Sequence, residues 1–175
     1  AHDGNAALIL AAFLKWGHRC VEHIYGDFAF VIYNQASGEL FCGRDPLGVH
    51  PFFYTVIDGA FVFASELRLV KAAFAIAPEI SREYLLNTLV HVISPKEETA
   101  FESIRRLAPA HTLSIKDNVH TLRKYWEPDR ENQSACESES EAVAVLRELL
   151  GRAVEERCEG AKYLGAELSG GLDSS

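Results

Sequence analysis

Between Gly26 and Ser65 four apolar stretches follow one another closely: GDFAFVIYN, ELFCGRD, HPFFYTVI and AFVFAS. Their apolar residues alternate or run continuously, which is the pattern of strands and not of a 3.6-residue helical repeat. Ala36-Ser37-Gly38 separates the first pair and Pro46-Leu47-Gly48 the second, while Asp58-Gly59 is a two-residue hairpin signal between the third and fourth. An antiparallel meander is expected.

Helices flank it. Asp3 is placed to cap a helix running to about Gly17, with Ala7, Leu8, Leu10, Ala11 and Leu14 on one face. Short helices are expected over 66–74 and 81–92, the second capped by Ser81. HTLSI, a Lys116-Asp117-Asn118 turn and VHTLRKYW form a last hairpin. From Glu127 the text EPDRENQSACESESE is polar and acidic and reads as a linker. Ser140 then caps a helix in which Ala142, Leu146, Leu149, Leu150 and Ala153 recur at three- and four-residue spacing. Residues 163–168 read as a short buried strand leading into LSGGLDSS. The chain thus divides into a domain over 1–126, a linker over 127–140 and, over 141–175, the start of an α/β domain that stops before its sheet closes.

The terminal loop has a physical use. Gly170 and Gly171 let backbone N–H groups approach an anion, Ser169, Ser174 and Ser175 add hydroxyl donors, and Asp173 is suited to a magnesium ion beside a phosphate. By itself, a Gly-Gly-x-Asp run fits a plain strand-to-turn connection equally well.

Composition excludes several classes. The 175 residues are 48% hydrophobic and 24% charged, an ordinary globular makeup, and the net charge of −8 without a basic cluster argues against a nucleic-acid surface. No apolar run approaches the ~18 residues of a membrane span. No signal peptide opens the chain, and both ends are expected to be cut, since it starts on AHDGNAALIL without a Met. Cys20, Cys42, Cys136 and Cys158 form no C-x-x-C pair, and the seven histidines are scattered, so reduced, mostly buried cysteines and no zinc site are expected.

Taken in order, GDFAFVIYN, RDPLGVHPFFY, FVFASELRLV, RRLAPAHTLSI, YW and LSGGLDSS resemble the asparagine synthase family over essentially the whole chain. The resemblance implies an α+β sandwich, the α/β/β/α class II glutamine amidotransferase domain truncated at its N-terminus, then the first helix and strand of an α/β ATP-pyrophosphatase domain. It implies a cytoplasmic, glutamine-dependent asparagine synthetase in which ammonia released from glutamine reacts with an adenylated aspartate. ATP and magnesium would be the cofactors, glutamine, aspartate and ATP the small-molecule partners, with neither nucleic acid nor membrane and with a homodimer left open. By position, Asp3 corresponds to the aspartate holding the α-amino group of glutamine, and Ser169, Gly170, Gly171, Asp173 and Ser174 to the ATP and pyrophosphate loop, with Asp173 the magnesium contact. Arg44 and Asp45 are better explained as an ion pair pinning a tight corner, and Phe28, Phe30, Phe52, Phe53 and Tyr54 as core.

Three features depart from the family. Its nucleophile is an N-terminal cysteine whose own α-amine is the base; this chain begins at Ala1, so no catalytic residue is assigned within it. Glu167 stands where an apolar residue is usual, and LAPAH replaces the more usual Pro-Gly-His. A second class therefore stays open: an ATP-dependent cyclase of lasso-peptide or β-lactam type, with an inactive glutaminase domain and a peptide substrate.

Overall fold

A computed structural model describes residues 3–129, 136 and 138–171. The chain forms two compact units, 1–128 and 129–175.

In the first unit, helix α1 (Asp3–Trp16) runs into a 3-10 turn, Gly17–Glu22. Strands β1 (Ala29–Asn34) and β2 (Glu39–Arg44) pair antiparallel from Ala29↔Arg44 to Asn34↔Glu39. Their loop is held by Asn34, whose Oδ1 accepts from the amides of Ala36 (3.0 Å) and Ser37 (3.3 Å). Strands β3 (Phe53–Ile57) and β4 (Ala60–Ala64) form the second hairpin, and both residues of its turn, Asp58 (φ 50°) and Gly59 (φ 80°), are left-handed as a type I′ turn requires. Asp117 and Asn118 (φ 49° and 61°) do the same between β6 (His111–Lys116) and β7 (Val119–Lys124).

The expected meander breaks at Pro46-Leu47-Gly48. There the two hairpins part into different sheets, one ordered β1-β2-β6-β7 and the other β4-β3-β5, where β5 is the short Arg105–Arg106. The open edge of β2 is taken by β6, from Leu40↔Ile115 to Gly43↔Thr112, and that of β3 by β5. Turn chemistry specifies only neighbouring strands, so this long-range pairing had no local signal, and the charged loop that contains β5 carried none either.

Strand alternation builds two cores. On one face of the first sheet Phe41 and Phe30 meet Ala12, Phe13, Cys20 and Val21 of the helical layer. On the other face Cys42, Leu113 and Ile115 meet Phe52, Tyr54 and Phe61 of the second sheet. Phe41, Leu107 and Leu113 are at most 1% exposed, and each such side chain contributes about 1.5–3 kcal/mol by burial. Helix α2 (Leu67–Ala72) packs on β3 and β4 with Val70 fully buried. Helix α3 (Arg82–Leu89) is capped by Ser81 as expected, the hydroxyl accepting from the Tyr84 amide at 3.4 Å. Ala110, in LAPAH, has φ 59° and is buried, a conformation that explains why glycine is usual there.

In the second unit, α4 (Glu139–Cys158) is capped by Ser138 instead of Ser140. Ser138 Oγ accepts from the Glu141 amide at 3.3 Å, and Ser138-x-x-Glu141 also puts two acids in the first turn, which the helix dipole favours. Residues 163–168 are exposed and form no strand, in contrast to the expected buried one, because a strand needs a hydrogen-bonded neighbour and none lies beside it among the described residues.

Candidate functional site

The chain leaves β2 through two charged residues that are almost fully buried, Arg44 (5% exposed) and Asp45 (1%). They were expected to form an ion pair. Instead each one braces the same loop separately. The Arg44 guanidinium donates to three carbonyls, those of His50 (2.7 Å), Leu107 (2.6 Å) and Gly48 (2.6 Å). Asp45 accepts from three amides, Leu47 (3.2 Å) and Val49 (2.9 Å) on Oδ1 and His50 (3.0 Å) on Oδ2. The Tyr125 hydroxyl donates to the Arg44 carbonyl at 2.6 Å, and burial, then the Asp45 charge, push its pKa up. Burial likewise draws the Arg44 pKa down, opposed by Asp45. Gly48 completes the corner with φ 68°, and a Cβ there would lie 2.6 Å from Pro109 Cγ and 3.1 Å from Arg44 Cζ. Gly48→Ala is therefore expected to cost about 3 kcal/mol, combining left-handed strain with overpacking. Urea unfolding of the two proteins measures it, and a loss below ~1 kcal/mol would contradict this account of the corner.

Next to the corner is an open depression of about 240 Å³ lined by Ile9, Asp27, Phe28, Ala29, His50, Pro51 and Ser65. Ile9 comes from α1, Asp27 and Phe28 precede β1, His50 and Pro51 close the corner loop, and Ser65 follows β4. Its lining combines three polar residues, Asp27, His50 and Ser65, with the apolar Ile9, Phe28, Ala29 and Pro51. Sequence reasoning missed these residues as site residues. The signal was present but divided: Asp27, His50 and Ser65 belong to GDFAFVIYN, RDPLGVHPFFY and FVFASELRLV, three motifs far apart in sequence.

Asp3 opens α1, in its first turn and not at the position before it, about 9 Å along the axis from Ile9 at 1.5 Å per residue. Ser169, Gly170 and Gly171 are contiguous and exposed in the second unit. Gly170 has φ 77°, and among the described residues a Cβ there would meet nothing within 4 Å, while one at Gly171 would meet Ser169 Oγ at 3.6 Å. Asp173 and Ser174 lie outside the described residues. Burial holds the Cys20 thiol above its ordinary pKa and pushes that of Cys42 up to about 12, and neither side chain is exposed.

Two family profiles match the chain, Glutamine amidotransferase domain over residues 2–126 and Asparagine synthase over 145–175. Asparagine synthetase [glutamine-hydrolyzing] 3 of Bacillus subtilis is 32% identical over 98% of this chain and 28% of its own length. Amidase chyE of Penicillium rubens is 31% identical over 98% of this chain and 25% of its own length. The putative asparagine synthetase [glutamine-hydrolyzing] 2 of Methanocaldococcus jannaschii is 29% identical, over 98% and 34%. The chain therefore spans about a quarter to a third of these curated relatives.

Proposed function

The chain belongs to the glutamine amidotransferase domain family, and on that premise we propose that it is part of an ATP-dependent carbon–nitrogen ligase that takes its nitrogen from glutamine and gives it to aspartate. Residues 1–126 are the glutaminase part, a four-layer α/β/β/α sandwich, 127–140 the linker, and 141–175 the beginning of the ATP-pyrophosphatase part. The observation that carries this reading is the convergence of three separated motifs on one depression beside α1. At about 240 Å³ it is smaller than the ~300–1,000 Å³ usual for drug-sized ligands and suits a molecule of amino-acid size.

In this reading Asp3 holds the α-ammonium of glutamine, and Phe28, Ala29 and Pro51 give the depression an apolar surface for its aliphatic carbons. The nucleophile is neither Cys20 nor Cys42, both of which are fully buried. Ser169, Gly170, Gly171 and Ser174 offer donors to the phosphates of ATP, and Asp173 holds the accompanying magnesium. ATP, when bound, supplies the adenylyl group that makes the acceptor carboxylate reactive, and donors aimed at pyrophosphate stabilise the charge that develops as it leaves.

The test is the full-length protein supplied with glutamine, aspartate and ATP. Glutamate and AMP are expected to accumulate together, and Asp3→Asn is expected to raise the KM for glutamine by about 10- to 100-fold through loss of a charge-assisted contact. AMP production that ignores glutamine and requires a peptide would overturn the reading in favour of a cyclase.

A further inference from the structure

We propose that Arg44 and Asp45 are positioning residues for the amide substrate, holding the loop 45–50 from both sides and thereby setting the His50–Pro51 wall of the depression. The inference rests on reading that depression as the glutamine site. Both residues hold the backbone of His50: its N–H donates to Asp45 Oδ2 at 3.0 Å and its carbonyl accepts from Arg44 Nε at 2.7 Å. The facing segment is tied to the same residue, since the Asp45 amide donates to the Phe28 carbonyl at 2.8 Å. Asp45 therefore joins two of the segments that line the depression, 27–29 and 50–51.

A tight corner does not need this much. The Asp45 carbonyl already closes the turn on the Gly48 amide at 3.1 Å, and a left-handed Gly48 supplies the geometry. The six further side-chain bonds draw two charges out of water, yet His50 and Pro51 themselves are exposed. A rigid base under an exposed pair is what preorganisation of a ligand wall requires, since a wall already held in its binding conformation loses less freedom when the ligand arrives.

The experiment is steady-state glutamine hydrolysis by the full-length protein and its Arg44→Lys and Asp45→Asn variants, at a temperature well below each unfolding midpoint. Leu113→Ala, a truncation in the core between the sheets, serves as the control for lost stability. The clamp variants are expected to raise KM about 10-fold with kcat changed less than about 3-fold, while Leu113→Ala lowers the midpoint without moving KM. Should a clamp variant fail to fold, Tyr125→Phe, which removes only the hydroxyl on the Arg44 carbonyl, takes its place with a rise of about 3-fold. Wild-type turnover with KM unmoved in the variants, or an equal rise in Leu113→Ala, overturns the clamp alone. A wild type that hydrolyses no glutamine overturns the site reading and this proposal with it.

Discussion

Arg44→Ala is expected to destabilise the first unit by about 4 kcal/mol. The guanidinium serves three carbonyls, and that of Leu107 is buried where water does not readily replace it, so its loss leaves an unsatisfied acceptor at about 2–3 kcal/mol. The carbonyls of His50 and Gly48 are partly buried and recover part of their bonding from solvent, adding about 0.5–1 kcal/mol each. Were Arg44 the exposed half of an ordinary ion pair, the loss would stay below about 1 kcal/mol. The two values are far enough apart for urea unfolding to separate. Trp16 and Trp126, the two tryptophans of this chain, lie in the first unit, so fluorescence of the 175-residue chain follows its unfolding. A change within 1 kcal/mol would mean that the guanidinium bonds are replaceable by water.

The second large effect belongs to the terminal loop. In the full-length protein Asp173→Asn is expected to lower ATP-to-AMP turnover by about 100-fold or more, because the amide keeps the size and hydrogen bonding of the carboxylate but lacks the charge that a hard dication requires. Glutamine hydrolysis, which the proposed function assigns to residues 1–126, should survive. If Asp173 serves only as a helix N-cap, asparagine is nearly as good a cap, and the change should cost a few tenths of a kcal/mol with turnover almost intact. AMP formation measured beside the melting temperature distinguishes the two, and near-normal AMP output would remove the metal role.

Sequence reading reached furthest where the controlling interaction is local. The hairpin turns at Asp58-Gly59 and Asp117-Asn118 were legible because left-handed φ values select Gly, Asn and Asp. The Ser81 cap was legible because it reaches only three residues ahead. At α4 the same reasoning chose the wrong serine, since Ser138 and Ser140 are both plausible caps and only Ser138 has a glutamate at its third position.

What the sequence by itself determined is the six longer strands of the first unit and the turns within their hairpins, since period-two alternation and backbone sterics act over a few residues. Tertiary structure alone decided that β2 abandons β3 for β6, that Arg105–Arg106 becomes a strand, and that 163–168 does not. Pairing depends on which edge is within reach after the corner at Arg44 and Asp45 has turned the chain. The depression follows from that choice too: Asp27, His50 and Ser65 carry no shared spacing, and they meet because the two hairpins sit in facing sheets with a common core. Long-range packing placed them together, and no window along the chain was wide enough to contain it.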